Sequence, residues 1–246
     1  MHTSLLPEIV ESADRAYQTR QSIQNIHESA RSLRNAIKDS DDYEIAWRLS
    51  RVMFFLGQQS EAETTNRRAE EHFPDAKDSP RSLYDEGVVV ARRAVKSKPA
   101  HVEGHFWLGV NLALLARQQS TLRAIVHGLQ AKRSLRKAIE IDAAYHAAGP
   151  LRVLARLQHK LPRWLGGGVM RARENFERAI AIAPANTVNR IYFAELLWEV
   201  AETSRTRAEL EHLLEAPFDP DWAFEIERDR LLAKVMLGKI SNLEPE

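Results

Sequence analysis

Ala172-Arg-Glu-Asn-Phe176-Glu-Arg-Ala179-Ile-Ala-Ile-Ala-Pro184 is the stretch that decides the fold. Seven residues separate its two small side chains, about two helical turns, so Ala172 and Ala179 share one helix face. Phe176 stands between them on that face. Small side chains there let a second helix approach closely, and Pro184 ends the helix. The same spacing recurs as Ala62/Ala69/Pro74 and Gly87/Ala94/Pro99. Weaker copies are Ser29/Ala36/Asp41 and Ala131/Ala138/Ala143, with Leu33 and Leu135 in the place of Phe176. A unit repeated in this way predicts an array of helical pairs.

Outward from these copies, apolar residues at helical spacing predict helices over 5–18, 21–38, 42–57, 60–73, 80–96, 100–117, 120–141, 145–159, 168–183, 186–202, 204–215 and 221–237. Gly57 reads as the end of one helix, and Ser60 with Glu63 as the capping box of the next. Ser79 followed by Pro80 reads as an N-cap and first helical residue. The repeat ends fall at 41, 74, 99, 143 and 184, with gaps of 33, 25, 44 and 41 residues. The tetratricopeptide period is about 34 residues. The short gap reads as a repeat lacking its first helix, and the long gap after it as an insertion.

Composition narrows the function. The 246 residues are 44% hydrophobic and contain no Cys, which removes disulfides, thiolate metal sites and Cys nucleophiles. No apolar run reaches the roughly 18 residues of a membrane span. The opening residues lack a basic region followed by an apolar one, so the chain is expected in the cytoplasm, or in the periplasm if it is a trimmed form. The net charge of +1 hides an asymmetry. Residues 115–175 carry twelve Lys/Arg against three Asp/Glu, and residues 195–246 thirteen Asp/Glu against six Lys/Arg. That dipole suits association, with an acidic partner or between the basic middle and acidic end of two copies.

The triplets, with Trp107-Leu108-Gly109 and Phe193-Ala194 in matching first-helix positions, resemble a tetratricopeptide-repeat (TPR) protein. The resemblance implies a single all-α domain over 1–246, a right-handed TPR-like solenoid of about eleven helices. Its repeats would end near 41, 74–99, 143, 184 and 217, and a helix at 221–237 would cap it. A narrower order of motifs is also present: Trp47-Arg48-Leu49-Ser50-Arg51, then Gly104-His105-Phe106-Trp107-Leu108-Gly109, then Gly149-Pro150-Leu151-Arg152, then Pro162 and a triple glycine. It is similar to the T-component of tripartite (TRAP) periplasmic transporters and to the regulators of microtubule dynamics. That likeness implies an accessory protein that binds another protein, or one with an apolar ligand channel.

In such a solenoid the first helix of each repeat lines the concave side. Helical phase then assigns partner binding to Trp47, Arg51, Phe54, Phe106, Arg152, Arg156, Glu195 and Trp198. The arginines would fix acidic groups and the aromatics would anchor apolar ones. The expected partner is a protein or peptide, not nucleic acid, because Lys132, Arg133, Arg136 and Lys137 spread around their helix. No cofactor is expected. His101 and His105 lie at i, i+4 but lack a third placed ligand, so no metal site is expected. Gly166-Gly167-Gly168 precedes a helix without the Lys-Ser/Thr of a phosphate loop, and reads as a tight turn. No motif sets a nucleophile beside a base, so no enzyme is expected.

Overall fold

A computed structural model describes residues 6–38, 41–67, 79–119 and 121–242. Among the described residues there are eleven α-helices. They are α1 (Leu6–Gln18), α2 (Ile23–Ala36), α3 (Tyr43–Arg67), α4 (Pro80–Ser97), α5 (Val102–Arg117), α6 (Thr121–Ile141), α7 (Tyr145–Lys160), α8 (Val169–Ile182), α9 (Thr187–Glu199), α10 (Thr203–Glu215) and α11 (Ala223–Ser241). Two short 3-10 turns, Arg163–Leu165 and Pro220–Trp222, lie in the connections. The fold is all-α, and each helix packs chiefly on its neighbours in sequence, as TPR pairs do. The helices group into two compact units, α1–α6 and α7–α11.

The small–bulky–small triplets form the seams. Ala131, Leu135 and Ala138 are fully buried, as are Ala172, Phe176 and Ala179. Gly109 shows why a small residue is needed: a Cβ there would stand 2.6 Å from Leu135 Cγ, so α5 and α6 pack only with glycine at this point. In the second unit Phe176 packs on Phe193, with Ala155, Ala172, Leu196 and Leu197 around them. α11 closes that unit by laying Ala233 and Ile240 against Ile191, Leu210 and Leu213. Caps follow local chemistry. Ser79 Oγ accepts from the Ser82 amide ahead of α4, with Pro80 next in line, and the Asn186 side chain accepts from Asn189 ahead of α9.

Two expectations are corrected. The break at Gly57 is absent, because α3 continues through Gly57 and Ser60 to Arg67. Gly57 is there for a different reason: its Cα faces the buried ring of Tyr84 on α4, and a Cβ would lie 2.3 Å from Tyr84 Cε1. The glycine permits a helix crossing and ends nothing. The separate helix expected at 60–73 is thus the last part of α3 as far as Arg67, and Ala69 and Pro74 lie outside the described residues. The repeat ending at Pro99 also has its first helix: α3 pairs with α4. A buried polar knot fixes this pair to α5. Ser50 Oγ donates to the Gly87 carbonyl (2.9 Å), and Asn111 Nδ2 donates to Ser50 and to the Trp107 carbonyl.

The other departure is local. The first turn of α7 is left-handed, with φ of 52°, 52° and 60° at His146, Ala147 and Ala148. The right-handed helix starts only afterwards, which places Pro150 in its first turn, where proline is tolerated. None of the three residues is glycine, so each is held against its own preference, at about 1–2 kcal/mol apiece.

Candidate functional site

The residues assigned to binding by phase are placed as follows. On α3, Trp47 is buried and donates Nε1–H to Glu44 Oε2 (3.0 Å). The guanidiniums of Arg48 and Arg51 stand 4.1 and 4.9 Å from its ring, and Arg51 also covers Tyr17 of α1 at 4.2 Å. Both arginines converge on Asp14 of α1. Arg48 forks onto it at 3.0 and 2.7 Å, and Arg51 donates at 2.7 Å. Arg48 also donates to Glu44. This network ties α1 to α3 and engages Trp47 and Arg51 inside the protein, leaving only the buried Nε of Arg51 without an acceptor among them.

Its electrostatics give a test. Burial by itself would raise the carboxyls of Asp14 and Glu44, but the hydrogen bonds from Arg48, and from Arg51 or Trp47, outweigh it and hold both below their ordinary values of 3.8 and 4.5. A carboxylate depressed in the folded state stabilises fully above its unfolded pKa, and that contribution is lost as pH falls through the folded value. The chain is therefore expected to lose stability on going from roughly pH 5 to pH 3. Denaturant unfolding of Asp14→Asn should show a shallower loss across that window than wild type; equal slopes would remove the network from the acid response.

Phe54 packs with its ring 5.5 Å from Trp107 of α5, and Phe106, buried, lies 4.8 Å from the same indole. Phe54 thus packs across the seam between α3 and α5. In the second unit Arg152 is buried and grips the left-handed turn. Its Nη1 donates to Asn189 Oδ1 (2.7 Å), the Ala147 carbonyl (3.0 Å) and Asn186 Oδ1 (3.4 Å). Asn189 Nδ2 donates to the same Ala147 carbonyl, and the ring of Trp222 covers His146 at 4.7 Å. Arg156 is the reachable one: it pairs with Glu195 (2.5 Å) above the Tyr192 ring, both side chains partly exposed. One turn on, Lys160 pairs with Glu199 (2.8 Å). Trp198 packs partly buried beside Leu210 and Leu213.

The His101 ring packs edge-on to Tyr43, His105 bonds the Pro99 carbonyl, and Glu103 between them accepts from the Tyr43 hydroxyl (2.7 Å). Among the described residues no group of three His, Asp or Glu could hold a metal ion. The triple glycine is a tight turn, with Gly166 at φ 78° and Gly168 at φ 118°. Its amides bond the carbonyls of Arg163, Pro162 and Gln158, and a Cβ on Gly167 would strike the Leu161 carbonyl oxygen at 1.9 Å. A phosphate loop needs amides turned outward.

A different surface is exposed. Leu122, Val126 and Leu129 of α6 follow at i, i+4 and i+7 and are 80%, 50% and 42% exposed. The same face continues into Arg133, Arg136 and Lys137, all exposed. Val89 of neighbouring α4 is half-exposed, and Arg92 of α4 bonds Gln130 of α6 (3.0 Å). Beside this face lies a polar cavity of about 620 Å³ bordered by Arg81, Arg123, Asp85 and His127. Burial, then the charges of Arg92 and Arg123, lower the His127 pKa and keep that imidazole neutral near pH 7. The helical spacing of Leu122, Val126 and Leu129 is visible in the sequence; that it faces solvent is not.

The geometry defines a TPR-like helical-repeat protein, and the comparisons agree. A thermophilic TPR protein from Thermus thermophilus superposes with a TM-score of 0.63 at 18% identity, over 90% of this chain and 99% of its own. A tetratricopeptide repeat protein from Parabacteroides merdae gives a TM-score of 0.40 at 12% identity, over 97% and 94%. No curated protein matches the sequence. The profile of the family described as Regulator of microtubule dynamics protein 1-3 matches residues 9–151, more than half of the chain, and the chain belongs to that family. Among the described residues no helix is long and apolar enough to cross a membrane.

Proposed function

We propose that this chain is a non-catalytic scaffold that binds a partner protein, and that the outward face of α4 and α6 in the first unit receives it. The carrying observation is the exposed row Leu122, Val126 and Leu129 running into Arg133, Arg136 and Lys137. Exposed apolar side chains aligned along a helix and rimmed by polar residues mark an interaction surface. Lys137 is paired with Glu140 (3.1 Å), so Arg133 and Arg136 carry the positive charge of the rim. The fitting partner is an amphipathic segment with an apolar stripe and acidic residues beyond it. The first-helix groove contributes less than its sequence promises, since Trp47, Phe106 and Arg152 are inside the protein.

The family description names microtubule dynamics, so polymerised tubulin is the first partner to assay. Co-sedimentation would compare wild type with Leu122→Glu/Val126→Glu and Arg133→Glu/Arg136→Glu, all at exposed positions. Both variants should bind at least tenfold more weakly, the loss in the second shrinking at high salt. If both stay folded and bind as wild type does, the α6 face is not the site. The transport-accessory alternative draws on one feature, a cavity of about 420 Å³ in the second unit bordered by Phe218, Trp222 and Ile226. Mass spectrometry of organic extracts of the purified chain separates the two readings, since a carrier retains an apolar molecule and a scaffold does not.

A further inference from the structure

The last helix carries apolar residues on both sides. One side of α11 buries Ile226, Ala233 and Ile240 in its own unit. The opposite side exposes Leu231 (65%) and Val235 (50%). Glu227, Leu231, Lys234 and Gly238 follow at i, i+4, i+7 and i+11, one continuous stripe down the outward face. Glu227 and Lys234 are exposed and take part in no ion pair among the described residues. Gly238 is unlike the other glycines described above, because a Cβ added there would meet nothing within 4 Å. Packing within the chain does not require it, and it leaves a notch in the stripe.

We propose that two copies of this chain associate through α11, antiparallel about a two-fold axis near Leu231. The charge order of the stripe picks the occupant and its direction. An axis at Leu231 sets that side chain against its own symmetry mate. It brings Glu227 of each copy beside Lys234 of the other, on the same side of the contact, so two opposite-charge pairs form at once. It also sets Gly238 of each copy level with Phe224 of the other, which gives the notch a bulky side chain to receive. A parallel arrangement would place Glu227 against Glu227 and Lys234 against Lys234. Self-complementarity of this kind is what a two-fold interface requires. This surface differs from the α6 face and involves neither the basic middle nor the acidic end as a whole.

One helix face against another buries less than the roughly 1,200 Å² of a standard stable interface, so dissociation in the micromolar range is expected. Sedimentation equilibrium over a wide concentration range reads it. Wild type should pass from monomer to dimer. Leu231→Glu and Gly238→Trp should each weaken the dimer at least tenfold, and the open space at Gly238 keeps the second change from disturbing the fold. Glu227→Lys should weaken it as well, and Glu227→Lys with Lys234→Glu should restore it. A wild-type chain that stays monomeric at several hundred micromolar overturns the proposal. So does a dimer indifferent to Leu231→Glu and Gly238→Trp, or a charge exchange that fails to restore association.

Discussion

Gly57→Ala is expected to destabilise the first unit by about 2–3 kcal/mol, the opposite of what helix propensity alone gives. In a helix interior alanine is favoured over glycine by about 1 kcal/mol. The new methyl, however, would stand 2.3 Å from the Tyr84 ring. Tyr84 is fully buried and its hydroxyl accepts from Gln58 Nε2 (3.1 Å), so the ring cannot swing aside without opening the α3–α4 seam. Overpacking costs typically about 1–3 kcal/mol and more when backbone must move. A 2.3 Å approach to a fixed ring lies at about 3–4 kcal/mol, and the roughly 1 kcal/mol of helix propensity leaves about 2–3 kcal/mol net. Thermal unfolding should show a midpoint lower by roughly 4–10 °C. The double variant Gly57→Ala/Tyr84→Leu should be less damaged than the two single changes combined, because shortening Tyr84 makes room for the methyl. An unchanged or raised midpoint for Gly57→Ala would show that α3 and α4 do not approach closely here.

Arg152→Ala should be the most damaging single change in the second unit, at about 3–4 kcal/mol. It removes charge-assisted hydrogen bonds worth about 1.5–3 kcal/mol each and leaves Asn189 Oδ1 without its donor in a buried place. It also releases the turn at 146–148, whose left-handed residues persist only while their surroundings hold them. Arg152→Lys should recover part of the loss, since an ammonium can stand in for Nη1 at Asn189 but has no second nitrogen for the His146 carbonyl, which Nη2 reaches at 3.4 Å. Ala147→Gly in the Arg152→Ala background should return about 1 kcal/mol by relieving the positive φ. Hydrogen exchange resolved along α7 and α9 checks this. Protection should fall there first in Arg152→Ala, and equal protection in both proteins would take Arg152 out of that role.

The two variants also show where sequence reading stops. The triplets are local and chemically cheap to recognise: a seam needs small residues, and Ala172, Phe176 and Ala179 sit where their spacing puts them. Gly57 misleads because the same residue serves two needs. A helix terminus wants its backbone freedom, and a helix crossing wants its missing side chain. Only Tyr84, twenty-seven positions later, decides between them. Helical phase puts Arg152 and Arg51 on the first-helix face and goes no further. It does not say that Asn189 or Asp14 waits there. The left-handed turn has little local sign: histidine visits positive φ more often than most residues, but Ala147 and Ala148 do not, and the groups that hold the turn, Arg152 and Asn189, lie on α7 and α9. The α6 row is the converse: its period is plain, but a stripe of Leu and Val reads as core until the structure shows nothing covering it.

That row has a polarity along its axis. Leu122, Val126 and Leu129 occupy the amino-terminal half of α6 and Arg133, Arg136 and Lys137 the carboxyl-terminal half. A segment lying on it can satisfy both halves in one orientation only, with its acidic residues toward Ile141. Reversed, it would set carboxylates on leucine and bring its own apolar side chains against guanidiniums. On the proposed docking surface alignment would thus be one-way, and a scrambled or reversed peptide of identical composition should dock poorly. For a scaffold this is a way to impose heading as well as proximity: whatever chain continues from the bound segment must leave from a known end.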